Sequence, residues 1–80
     1  MVIKLNTIEN AKAFCKVCGS NDYRDTDIDI TCGRYVIDAK SILGILSMDL
    51  TKCMTVVFHG SNQKQKDTFF ERIGEWEYNE

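Results

Sequence analysis

The sequence predicts an α+β fold: an open-faced two-layer sandwich in the order βαββαβα, with a four-stranded antiparallel sheet and its helices on one face. Three observations carry this expectation. Two short runs, at 1–7 and 27–32, alternate apolar and polar residues with a period of two, as strands with one buried face do, and a third, at 53–59, is β-branched. The stretches between and after them place apolar residues at helical spacing. Gly33 joins the second run to Tyr35–Ala39 so closely that they form an antiparallel hairpin.

The first run, "MVIKLNT" at 1–7, sets Ile3 and Leu5 against Lys4 and Asn6. Asn10 then stands where a helix can start, because its side chain can accept a hydrogen bond from a first-turn amide. Phe14, Val17, Cys18 and Asn21 follow at i, i+3, i+4 and i+7, giving a largely apolar face, while Lys12, Cys15, Lys16 and Gly19 fall on the other. After a polar loop, Ile28, Ile30 and Cys32 alternate with Asp27, Asp29 and Thr31, and Tyr35 to Ala39 returns as the hairpin's second strand. Ser41 precedes "ILGILSM", a stretch suited to a helix of one or two turns capped by the serine hydroxyl. "CMTVVFH" at 53–59 is a β-branched strand with Met54, Val56 and Phe58 on one face, ended by Gly60. From Ser61 or Asn62 a polar first turn leads into Phe69, Phe70, Ile73 and Trp76, a helical stripe.

Eighty residues allow one domain, 1–80, with a modest core and no interdomain cleft. Hydrophobic and charged shares of 44% and 28% belong to an ordered chain. A net charge of -2 with scattered lysines argues against nucleic-acid binding, which needs a basic stripe for counterion release. No apolar run approaches a membrane span and no basic region leads into one, so the expected place is the cytoplasm, with no membrane insertion. The four cysteines are accordingly read as reduced thiols.

The element order, the length and above all "AKSILGILSMDL" at 39–50 resemble the HPr family, the histidine-containing phosphocarriers of the bacterial phosphoenolpyruvate-dependent sugar phosphotransferase system. The match spans the chain in element order and is specific in residues at 40–47. The resemblance implies an HPr-like sandwich with no cofactor. Its protein partners would be enzyme I, sugar-specific permease components, or a transcriptional regulator.

Family members carry phosphate on a histidine that opens the first helix, within a histidine, alanine, arginine, proline, alanine stretch. Counting back from Ser41 sets Asn10 at that histidine, Lys12 at the arginine and Ala13 at the proline, so that only Ala11 fits. Phosphoryl transfer needs an attacking lone pair. A carboxamide lacks one because its nitrogen electrons are delocalised into the carbonyl. The expectation is therefore a degenerate site with no catalytic role, in which Lys12 can still hold an anion beside the helix N-terminus. His59 is the chain's single histidine; it closes the last strand, roughly 20 Å (a strand length) from Asn10, and is expected to be a solvated strand end.

Ser41 matches the serine that a metabolite-controlled kinase phosphorylates in many HPr proteins, and it is also a plain helix cap. Leu43 and Leu46 match residues that dock enzyme I and other partners, with Ile42 and Ile45 left to fill the core. Lys12, Cys15 and Lys16 extend this candidate partner-binding surface.

The Cys15 and Cys18 pair has the spacing of redox and zinc motifs. Three residues apart on one helix, the two project about 60° apart, with Cys18 inward and Cys15 outward. A zinc site needs two more ligands, and Cys32, Cys53 and His59 are scattered over separate strands, so no metal is expected. Cys15 by itself lies with Lys12 and Lys16 near the helix start, which would lower its thiol pKa. Asp22, Asp25, Asp27 and Asp29 lack the spacing of a calcium loop. The chain is thus expected to be a regulatory or binding module. The alternatives are a phosphocarrier with an unorthodox acceptor, or a thiol or metal protein using Cys15.

Overall fold

The computed structural model describes residues 1–79. Its elements are β1 (Val2–Ile3), α1 (Ile8–Cys18), a 3₁₀ turn (Asn21–Tyr23), β2 (Ile28–Cys32), β3 (Tyr35–Asp38), α2 (Ile42–Leu46), β4 (Met54–Phe58), α3 (Gln63–Arg72) and a second 3₁₀ turn (Gly74–Trp76). The strands form one antiparallel sheet in the order β1-β4-β2-β3. This is the expected HPr-like open-faced sandwich.

Strand register sorts side chains to two faces. Ile3 pairs with Met54, Ile28 with Phe58, and Ile30 with Val56 and Ile37. All but the half-buried Ile37 lie in the core, joined there by Ala11, Phe14 and Cys18 of α1, Ile45 of α2 and Phe69 of α3. One core on one side of the sheet places all three helices on that face. The other face carries Val2, Thr31, Val36 and Thr55, and remains open.

Gly33 makes the hairpin turn. Its φ of +59° is open to glycine at little cost, and Arg34 after it keeps a negative φ, the pattern of a type II′ turn whose twist suits the strands.

The first strand is shorter than its alternation suggests. Past Ile3 the chain leaves β4: the Lys4 amide donates to the Trp76 carbonyl (3.0 Å), and Asn6 takes a φ of +67°. The Thr7 amide donates back across Asn6 to the Leu5 carbonyl at 2.8 Å, closing a three-residue turn.

Helix α1 consequently begins at Ile8, and its cap is Thr7, whose hydroxyl accepts the Asn10 amide (3.1 Å). The expectation of Asn10 as the cap is corrected by one turn. At the other end Gly19 closes α1, so Asn21 falls outside the helix, in the 3₁₀ turn that buries Tyr23. The Tyr23 ring meets Phe69 edge-on at 5.1 Å and Phe58 at 6.1 Å.

The last stripe packs inward, but α3 ends at Arg72 and Trp76 reaches the core from the second 3₁₀ turn, edge-on to Phe14 at 5.9 Å. Among the described residues no helix is long and apolar enough to cross a membrane.

Candidate functional site

The β1–α1 turn sets the position of Asn10. Its carboxamide N–H donates to the Leu5 carbonyl at 2.8 Å, the same oxygen that accepts the Thr7 amide. The side chain therefore braces the turn through its N–H. The Asn10 and Ala11 amides are already taken by the Thr7 hydroxyl and carbonyl, and Glu9 supplies the negative charge that the first turn favours. Lys12 and Ala13 are exposed, and Lys12 sits a full turn inside the helix. This corrects the expectation that Lys12 would flank the helix N-terminus as an anion holder.

The Asn6 amide donates to the Leu50 carbonyl at 2.8 Å, tying this turn to the segment after α2. Helix α1 also packs beside α2. The Asn10 end of α1 is thus tied to the segment that follows α2, whereas Lys40, just before α2, reaches the Tyr23 carbonyl beyond the other end of α1.

Helix α2 begins where the sequence suggests. Ser41 caps it, its hydroxyl accepting the Gly44 amide (3.3 Å), and the Ile45 amide donates to the Ser41 carbonyl (3.0 Å). Ser47 closes the turn by donating its hydroxyl to the Gly44 carbonyl (2.6 Å). Gly44 is where the helix meets the sheet: a Cβ there would lie 2.8 Å from the Ile37 side chain. In so short an element only one residue needs to face inward. Ile45 is fully buried, Ile42 is half-buried, Leu46 is 37% exposed and Leu43 is 80% exposed. The two leucines form an apolar knob held out by a helix that is itself fixed to the core.

Lys40 is a site-positioning residue that sequence reasoning missed. Its ammonium donates to the Tyr23 carbonyl at 2.7 Å, anchoring the link from β3 to α2 just before the Ser41 cap. A lysine among scattered lysines carries no signal for such a distant partner. Asn6 and Thr7 did carry one: asparagine tolerates positive φ, and threonine three residues before a free amide is a cap pattern.

Of the cysteine pair, Cys18 points inward as expected and Cys15 departs from the expectation. Cys15 is half-buried and packs against the core instead of projecting outward. Burial raises its thiol pKa, and the Asp38 carboxylate raises it further, so the expected lowering by Lys12 and Lys16 does not occur. Cys18 is buried and pushed up to about 12, by desolvation first and then by neighbouring Cys15. Lys16 is exposed. Among the described residues no group of metal-ligating side chains converges.

His59 lies elsewhere. β4 runs antiparallel to β1, with the Val56 amide bonded to the Met1 carbonyl, so His59 lies past the start of the chain. Its Nε2 is 2.8 Å from an Asp29 carboxylate oxygen, off on the sheet's open face. No family model and no curated protein matches this chain.

Proposed function

We propose that this chain is an HPr-like binding or regulatory module of a phosphoenolpyruvate-dependent sugar phosphotransferase system, working in the cytoplasm, and not a phosphocarrier. The observation that carries the reading is the knob on α2: Leu43 stands exposed beside Leu46 on a helix that Ile45 and Gly44 lock to the core. An apolar pair held out rigidly suits docking, because little order is lost on binding. By resemblance its partners are enzyme I, a permease component or a transcriptional regulator, and Ser41 beside the knob is the candidate regulatory phosphorylation site.

The carrier function lacks its chemistry. Asn10 has no nucleophilic lone pair, and its carboxamide is engaged by Leu5. Catalysis of phosphoryl transfer is mainly positioning and charge stabilisation, and the exposed Lys12 and Ala13 replace an arginine fork and a rigid proline. The thiol reading is weakened by the raised pKa of Cys15.

Incubation with enzyme I and labelled phosphoenolpyruvate tests the proposal. It predicts no acid-labile phosphohistidine, and Asn10→His alone restores little transfer. Stoichiometric label that vanishes in His59→Ala would establish a phosphocarrier instead.

A further inference from the structure

The two edges of the sheet are treated differently. β1 is two residues long, and the C-terminal segment covers it: Ile3 bridges to Glu77, and the Tyr78 amide donates to the Val2 carbonyl at 2.9 Å. Among the described residues no segment pairs along the outer edge of β3, where only the Asp38 carbonyl is taken, by the Ser41 amide at 3.0 Å. Tyr35 and Val36 on it are 72% and 68% exposed, and its four residues, "YVID", include no lysine or proline to discourage pairing.

The register of the hairpin says which groups are free. In a two-residue hairpin the residues flanking the turn, Cys32 and Tyr35, exchange backbone bonds, and bonded pairs then recur at every second position. The Ala39 amide bonded to the Ile28 carbonyl at 2.9 Å keeps this phase. Thr31 and Val36 are therefore a non-bonded pair, and the Val36 N–H and C=O both point away from β2.

From this we infer that the β3 edge pairs with β3 of a second copy of this chain, antiparallel about a two-fold axis through Val36, joining two sheets into one of eight strands. The sequence at this edge is self-complementary in that register. Each Val36 exchanges two backbone bonds with its counterpart. Arg34 falls opposite Asp38 of the second copy, and Asp38 opposite its Arg34, giving two ion pairs of opposite sign. Tyr35 falls opposite Ile37 on the helix-bearing face, where both helix layers lie on the same side. There a cleft of about 290 Å³, lined by Cys32, Tyr35, Ile37 and Met48 among others, opens beside the position of the second copy's Tyr35. A slip of the register by two residues in either direction loses the Val36 pair and both charge matches.

A four-residue strand is only about 14 Å long. The contact is smaller than a standard interface, so the dimer is a weak one, with a dissociation constant on the order of 10–100 μM. This association uses neither Leu43 nor Leu46 and goes beyond the proposed function.

Sedimentation equilibrium of the full chain under reducing conditions tests it. The wild-type chain is expected to dimerise reversibly. Val36→Pro removes only an outward-facing N–H, and should leave a folded monomer by near-ultraviolet circular dichroism. Arg34→Glu alone sets like charges across the axis, as does Asp38→Lys alone, and each should weaken the dimer at least about tenfold. An equimolar mixture of these two variants restores both opposite pairings and should form a heterodimer of near wild-type affinity. Amide exchange of the wild-type chain gives a readout independent of the variants: protection of the Val36 N–H should rise with protein concentration. A chain monomeric to about 1 mM overturns the inference. So does a dimer indifferent to Val36→Pro, a mixture no tighter than its components, or a Val36 amide whose exchange ignores concentration.

Discussion

Asn10 and Thr7 divide between them a task that residue type alone could assign to either. Both can cap a helix, and they stand three positions apart; what decides is Asn6, whose positive φ turns the chain so that the Thr7 hydroxyl meets the Asn10 amide. The Asn10 side chain is then left as a donor to Leu5. Asn10→Ala should cost about 1 kcal/mol in urea unfolding, the value of a part-buried hydrogen bond whose acceptor, the Leu5 carbonyl, keeps the Thr7 amide. Asn10→Asp should cost more, because a carboxylate cannot donate and would face a carbonyl beside Glu9. Equal stability of Asn10→Ala and the wild type would show that the turn stands without its brace. Cys18 gives a second prediction at this scale. Its ordinary value is 9.0 and the fold raises it to about 12, so the folded chain keeps the thiol neutral while the unfolded chain ionises it. That contribution is fully present below pH 9 and is lost as pH rises toward about 12, by up to about 1.4 kcal/mol per pH unit. The melting temperature should therefore fall over this window less steeply in Cys18→Ala than in the wild type. Identical slopes would mean that the thiol is solvated. The lysines nearby in sequence suggested the opposite shift for Cys15, because a one-dimensional reading sees charges and not the burial that outweighs them.

Helix α2 was legible almost residue by residue. A serine before a short apolar run, with one glycine inside it, describes a capped turn and a close approach to something, although only the fold shows that the neighbour is Ile37. Five residues cannot all be core, and the register of the helix leaves Ile45 inward and Leu43 outward. Leu43→Ser should change stability by no more than about 0.5 kcal/mol, whereas Ile45→Ser should cost several kcal/mol through lost packing and a buried hydroxyl. Thermal unfolding of the two variants separates them, and a large loss from Leu43→Ser would place that residue in the core. Ser41→Asp should keep the cap, as Ser41→Asn does, yet alter the affinity of any partner that reads the adjacent knob. Equal affinities for these two variants, with the fold intact, would reduce Ser41 to a cap.

At the scale of the whole molecule the order of elements followed from periodicity, while the end of the chain did not. Phe69, Ile73 and Trp76 share a helical stripe, but the helix stops before Trp76, and the segment beyond it turns back to bond Lys4 and Val2. That closure is a long-range pairing, for which local alternation holds no signal; the same is true of Tyr23, buried from within a polar loop. Trp76→Ala should cost about 3–5 kcal/mol, because it removes the ring against Phe14 and loosens the cover over β1. Retention of full stability would mean that the tail is incidental to the fold. The central claim, that a fold of phosphocarrier type serves here for docking through α2, is tested most directly by nuclear magnetic resonance titration of the isotope-labelled chain with enzyme I, before and after phosphoenolpyruvate is added. The account predicts amide shifts centred on Leu43 and Leu46 that phosphoenolpyruvate leaves unchanged; shifts confined to other surfaces, no shifts at all, or new shifts at His59 once phosphoenolpyruvate is present would contradict it.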